Sequence, residues 1–191
     1  MRTTVFSTPL LTPLLRAVAM LLLKLSGWKA VGDPIADPRF VLIGAPHTSN
    51  WDFPIMLLVV LQLRMEVFWM GKNTLFRFPF GGLMQWLGGI PIDRSRPGKV
   101  VDQTVRQFEC HKNLVVLIPP EGTRRKVERW KTGFYHIAVN ADVPIMLGYV
   151  DAAKKEAGIA KLFYPSGDID ADLAAIHEFY GQKTGICPEN A

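Results

Sequence analysis

Short apolar runs alternate with segments of helical periodicity along most of the chain. The runs cover residues 40–44, 66–70, 89–92, 114–118, 144–150 and 159–164. Each is strand-sized and bounded by Gly, Pro or polar clusters. The segments with helical spacing are 53–64, 75–87, 99–112, 132–141 and 170–181. Alternation of this kind predicts an α/β layer fold with a mostly parallel central sheet flanked by helices. No repeat, low-complexity stretch or linker divides the chain. Its 191 residues fit a single domain, assigned to residues 31–191, behind an N-terminal segment, residues 1–30. The last ten residues are polar and read as frayed.

The N-terminal segment has its own pattern. Thr12-Pro13 predicts a helix start, with Thr as cap and Pro at the first helical position. The apolar pattern runs to Leu25, and Gly27 supplies a stop. Thr12, Arg16, Met20 and Lys24 fall four apart and form one narrow, mostly polar stripe; the rest is almost all Leu, Val, Ala and Met. A helix over 13–25 rises about 20 Å, short of the ~30 Å hydrocarbon core of a bilayer. It reads as an amphipathic helix lying in one leaflet of a membrane. The alternative is a helix packed into the domain core. A signal peptide is not expected, because Arg16 and Lys24 interrupt the apolar region and no Ala-x-Ala-like site follows.

Candidate chemistry collects where strands end. His47 and Asp52 lie five positions apart, directly after the apolar run Phe40 to Ala45. A carboxylate near an imidazole fixes its tautomer and stabilises the cation formed when the ring takes a proton. The pair reads as a general base and its orienter, with His47 in the loop and Asp52 in the first turn of a helix. No Gly-x-Ser-x-Gly elbow or positioned cysteine is nearby, so the base activates a hydroxyl of the substrate. Two further strand-to-loop junctions carry Arg94 and Glu121-Gly122-Thr123-Arg124. Ligands bind beyond the carboxyl ends of strands in open α/β sheets, which points to one shared site.

These blocks resemble the lysophosphatidate acyltransferase-like family, the glycerolipid acyltransferases with an H-x4-D motif. His47 and Asp52 match the first block and Ile92-Asp93-Arg94 the second. Pro120 to Arg124 matches the third in full, and Val143-Pro144-Ile145 the fourth. The match in order and spacing runs over roughly residues 40 to 150. The chain departs from the family's usual pattern at Pro46, Pro91, Pro119 and Met146. None of these departures changes His47 or Asp52.

The resemblance implies a glycerolipid-type O-acyltransferase of phospholipid biosynthesis. It would move a fatty acyl group from a thioester, on coenzyme A or acyl carrier protein, to a hydroxyl of a membrane lipid. The default acceptor is 1-acyl-glycerol-3-phosphate, with His47 as base. Arg94 and Arg124 would grip phosphate through paired guanidinium bonds. Lys72, at the end of another strand-like run, would add charge. Glu121, Gly122 and Thr123 complete the substrate-binding set, with Glu121 orienting an arginine or the acceptor's hydroxyls. The expected location is the cytoplasmic face of the membrane, peripheral or monotopic. Two alternatives stay open: the same chemistry on another lipid, and a non-catalytic lipid- or acyl-carrier-binding protein.

Composition narrows the partners. The chain is 49% hydrophobic with a formal net charge of +5, which favours an anionic, partly apolar surface. No nucleic-acid-binding signature is present, so the membrane is preferred over nucleic acid. Cys110 and Cys187 are too few for a disulfide scaffold, and no Cys/His spacing supports a metal. Gly71-Lys72-Asn73-Thr74 lacks the upstream glycine of a P-loop. No metal or cofactor is required by the chemistry.

Overall fold

A computed structural model describes residues 3–33, 35, 38–93 and 97–190. Its centre is a seven-stranded sheet in the order β1-β7-β6-β2-β5-β3-β4. In chain order the strands are β1 (Lys29–Val31), β2 (Arg39–Ala45), β3 (Phe68–Lys72), β4 (Gly89–Ile92), β5 (Leu114–Ile118), β6 (Ile145–Asp151) and β7 (Glu156–Phe163). All neighbours are parallel except the hairpin β6–β7. The mostly parallel sheet expected from the alternation is therefore present.

The two-residue period of the strands divides the core into two layers. Val41, Ile43, Ala45, Val116, Ile145 and Leu147 point to one face, against Phe108, Phe134, Ile137 and Ile176. Those partners come from α4 (Pro97–Cys110), α5 (Gly133–Asn140) and α6 (Ile169–Tyr180). Phe40, Leu42, Val115 and Met146 point to the other face, against Ala19, Leu23, Ile55, Val59 and Val60. These belong to α1 (Leu11–Ser26) and α2 (Asp52–Gln62). Strands covered on both faces explain the unbroken apolar runs.

Four local expectations change. Strand β3 lies two residues later than its apolar run. The helical pattern over 75–87 splits into a 3₁₀ turn, Asn73–Phe76, and a short α3, Gly81–Trp86. Pro79 between them has no N–H to offer a helix. Strand β7 begins at Glu156 because β1, absent from the sequence reading, pairs with it there. That approach needs glycine at 158, where a Cβ would sit 1.8 Å from the carbonyl oxygen of Val31. The C-terminal residues are also tied down: the N–H of Ala152 donates to Thr184 O at 2.7 Å, and Ile186 packs against the α1/α2 layer.

Helix α1 starts at Leu11, ahead of the expected cap, and ends on Gly27 in the left-handed conformation (φ 75°). Thr12 lies inside the helix, and its hydroxyl donates to Val5 O and Thr8 O. The stripe Thr12-Arg16-Met20-Lys24 splits, with Thr12 buried, Arg16 half-buried and Met20 and Lys24 exposed. Ala19 and Leu23 are buried, whereas Leu14, Val18, Leu21 and Leu25 face outward. Among the described residues, no helix is long and apolar enough to cross a membrane.

Candidate active site

Strand β2 ends at Ala45 and α2 begins at Asp52, so residues 46–51 form a loop over the carboxyl edge of the sheet. Asp52, at the first position of α2, turns its carboxylate back onto this loop. Its Oδ2 accepts from the N–H groups of Thr48 and Ser49, each at 2.9 Å, and lies 2.9 Å from Nδ1 of His47. An anion here also gains from the helix N-terminus. A carboxylate only accepts, so Nδ1 is the protonated nitrogen of neutral His47. Nε2 is then unprotonated and able to take a proton. Asp52 is 6% exposed, whereas the His47 side chain keeps 21% of its surface open.

A second carboxylate holds the same loop. Oε1 of Glu121 accepts from the backbone N–H of His47 at 3.0 Å. Glu121 follows β5, and β2 and β5 are neighbours paired in register from Arg39↔Leu114 to Ile43↔Ile118. The loops that leave their ends must meet. Burial pushes the Glu121 carboxyl above its ordinary value, against the opposing pull of backbone N–H bonds and of His47. Burial also raises the Tyr180 hydroxyl well above its ordinary value, and the negative charge of Glu121 adds to it. Tyr180 donates to Gly148 O at 2.7 Å. Glu121 thus orients the backbone of the histidine, where the sequence pointed to an arginine or a substrate hydroxyl.

His47 and Asp52 open onto a cavity of about 1400 Å³, also lined by Lys72, Gly122, Thr123 and Arg124. Six of the eight predicted site residues thus meet at one place. Glu121 stands behind His47 and not in the wall. Arg94 lies outside the described residues. Gly122 takes a left-handed conformation (φ 66°), which suits a residue without Cβ in this turn. Lys72 and Arg124 are exposed, as is Lys131, which also lines the cavity. Among the described residues, neither Lys72 nor Arg124 forms an ion pair. The rim is strongly cationic.

The deeper wall is apolar. Leu42, Met56, Val59, Val60 and Ile159 line it beneath α2. Near the mouth Trp69 packs edge-on against Phe53 (5.3 Å between ring centres) and stacks on Phe76 (5.9 Å). The arrangement combines a poised imidazole, a cationic rim and an apolar recess.

One set of contacts had no sequence signal. The N–H of Cys187 donates to the hydroxyl of Thr48 at 3.1 Å, and Asn190 Nδ2 donates to Thr48 O at 3.2 Å. The C-terminal segment therefore clamps the residue beside His47.

The description "Acyltransferase" belongs to a family model that matches residues 32–146, a span holding all eight predicted site residues. The chain is 34% identical over 115 residues to a 1-acyl-sn-glycerol-3-phosphate acyltransferase of Haemophilus influenzae, covering 56% of this chain and 46% of that protein. It is 30% identical over 125 residues to the protein of that name from Escherichia coli, covering 62% and 49%. A third of that name, from Cocos nucifera, is 36% identical over 121 residues, covering 60% and 38%. The chain spans about half the length, or less, of these relatives. The crystal structure of the 1-acyl-sn-glycerophosphate acyltransferase PlsC from Thermotoga maritima aligns with a TM-score of 0.61 at 14% identity, over 90% of this chain and 78% of that one. At that identity the likeness shows the shared fold.

Proposed function

The chain belongs to the Acyltransferase family, and we propose that it moves a fatty acyl group from a thioester to a lipid hydroxyl. The default acceptor is 1-acyl-glycerol-3-phosphate, the substrate class in the names of the relatives. The observation that carries this reading is the 2.9 Å contact of His47 with Asp52 at the mouth of a cavity that is cationic outside and apolar within.

In this reading the cationic rim of Lys72 and Arg124 takes the phosphate, and the recess beneath α2 takes hydrocarbon. Nε2 of His47 removes the proton from the acceptor hydroxyl as its oxygen attacks the thioester carbonyl. Asp52 stabilises the imidazolium that forms. The tetrahedral intermediate collapses by breaking its C–S bond, and His47 returns the proton to the departing sulfur. The products are an ester and a thiol. Proton transfer of this kind contributes about 10²–10⁴-fold to rate.

The donor is a thioester of coenzyme A or of acyl carrier protein. Both carry phosphate, which complements Lys72, Arg124 and Lys131 at the cavity. Residues 1–30 serve as an interfacial segment and 31–191 as the catalytic domain, seated on the cytoplasmic face of the membrane. The outward Leu14, Val18, Leu21 and Leu25 support that seating, as do Trp51, Phe78 and Phe80, at 68%, 98% and 63% exposure.

The test is turnover of radiolabelled acyl-CoA and acyl carrier protein thioester with lysophosphatidate in mixed micelles. The expected result is labelled phosphatidate in wild type and none with His47→Ala. Thioester consumption without labelled phosphatidate, in the presence of a lipid extract that does become labelled, would move the acceptor to another lipid. No acyl transfer to any lipid would sink the enzymatic reading.

A further inference from the structure

A second cavity, about 390 Å³, opens between the first half of α1 and the last residues of α2. It lies at the end of α2 opposite Asp52, away from the catalytic loop. Its wall is Pro13, Arg16, Ala17, Met20, Gln62 and Arg64. Two guanidinium groups therefore share one small cleft, and no carboxylate lines it.

Three features set this arrangement apart. The Nε of Arg16 is closed off from solvent and has no hydrogen-bond partner, and a buried donor without an acceptor is destabilising. Among the described residues, neither Arg16 nor Arg64 is ion-paired. Arg64 occupies the left-handed conformation (φ 56°) just past the end of α2, a position that favours Gly or Asn. Helix-ending geometry gives no reason for arginine there. An anion in the cleft would pair with the two guanidinium groups, which bind phosphate oxygens through paired hydrogen bonds.

The surroundings select the kind of anion. On α1, Ala17 lies between the cleft and the outward row Leu14, Val18, Leu21 and Leu25. Lys24 continues the cationic edge at the far end of the helix. A ligand with its charge at Arg16 and Arg64 would have exposed hydrocarbon directly beside it. We propose that the Arg16–Arg64 cleft binds the phosphodiester of an anionic bilayer lipid, apart from the catalytic cavity. Its tails lie along the outer face of α1, and the site sets how α1 rests on the membrane. The assignment rests on the membrane reading given above, but not on the acyl-transfer chemistry.

The decisive probe is the side-chain Nε–H resonance of Arg16 in the full chain, followed by NMR. It is titrated with soluble short-chain phosphatidylglycerol and, separately, with inorganic phosphate. We expect the lipid to move the resonance saturably. Arg64→Gln, an exposed change that leaves the fold intact, should weaken that binding roughly tenfold, as expected for one lost charge-assisted bond. No movement with the lipid overturns the site. Saturation by inorganic phosphate as readily as by the lipid makes the cleft a free-phosphate site and overturns the lipid assignment. An unaltered titration in Arg64→Gln overturns the paired-arginine geometry. Co-sedimentation with phosphatidylglycerol vesicles separates this from the membrane reading. Wild-type protein that ignores vesicles while soluble lipid still moves Arg16 overturns membrane seating and the cleft's part in it, and keeps only the binding of a phosphodiester by the two arginines.

Discussion

The backbone N–H of His47 donates to Oε1 of Glu121 at 3.0 Å, across 74 positions of sequence. The bond joins the loops after β2 and β5, two strands paired side by side. It holds the histidine's main chain while Asp52 holds its ring. Glu121→Ala leaves that N–H without its acceptor, at a cost of about 1–3 kcal/mol. Glu121→Gln keeps a carbonyl oxygen at the same place. Ala should therefore lower both the melting temperature and kcat, with KM for the thioester little changed, and Gln should restore most of both. Equal loss in the two variants would mean that the charge matters and the bond does not.

The same carboxyl sets a pH dependence. Burial lifts Glu121 above its ordinary value of 4.5. Folded protein then holds this proton to a higher pH than the unfolded chain does. More protons bound in the folded state means stability that falls as pH rises, from about 4.5 up to the raised folded value. Glu121→Gln has no proton to lose. Its stability relative to wild type should rise with pH through that window and be level above it. Urea midpoints of both proteins at stepped pH measure this, and a constant difference would mean that burial does not perturb the group.

Asp52 accepts three hydrogen bonds on one oxygen, from two backbone N–H groups and the His47 ring. In Asp52→Asn an amide oxygen in the place of Oδ2 can keep all three bonds, but the neutral amide no longer offsets the positive charge of the imidazolium that the proposed mechanism forms on His47. We expect kcat to fall about 10²–10⁴-fold, with less loss of stability than in Asp52→Ala. His47→Ala should match Asp52→Asn in rate. Additive losses in the double variant would show that the two residues do not act as a unit.

The parts of this molecule that were legible in its sequence share a physical cause. Central strands such as β2 and β5 are buried on both faces, so their apolar runs are continuous and bounded. Asp52 follows its strand within a few residues, so loop and first helical turn alone bring it to His47. Strand β1 was not legible, because three residues, Lys29-Ala30-Val31, carry no period and pair only where Gly158 makes room. Glu121 stood out in the sequence as a site candidate, but its partner did not, since the bond depends on which strands lie side by side. The two-sided character of α1 was hidden by composition. Ala19 and Leu23 go inward and Leu21 and Leu25 outward, and hydropathy alone does not separate them.

The C-terminal clamp on Thr48 gives a further test. The Thr48 hydroxyl accepts from Cys187 N–H, and its carbonyl accepts from Asn190. Thr48→Val keeps the shape and removes the hydroxyl acceptor. Amide hydrogen exchange at Cys187 should accelerate, and kcat should fall several-fold as the neighbouring His47 gains freedom, roughly the effect of 1 kcal/mol. Ending the chain after Lys183 should produce the same kinetic change or a larger one. Full activity in both would show that Asp52 and Glu121 position the loop by themselves.

Helix α1 calls for outward-face substitutions, because deletion mixes two effects. Ala19 and Leu23 are 0% and 2% exposed and pack with the layer that holds Phe40 and Leu42. Removing residues 1–26 would uncover that layer and cause insolubility whether or not α1 meets a membrane. Leu14, Val18, Leu21 and Leu25 are 60%, 42%, 55% and 73% exposed, so changing them to Gln costs the fold little. Burying each in lipid contributes about 1 kcal/mol, given that fully burying such a side chain contributes about 1.5–3 kcal/mol. Four together correspond to roughly two to three orders of magnitude in vesicle partitioning. The fourfold Gln variant should thus stay folded, with a melting temperature near wild type, and leave the vesicle pellet for the supernatant. Its turnover of a water-soluble short-chain acceptor should be unchanged, since none of the four residues lines the cavity beside His47. Undiminished vesicle binding would transfer the membrane contact to the exposed aromatics Trp51, Phe78 and Phe80, where the corresponding Gln variants would then show the loss.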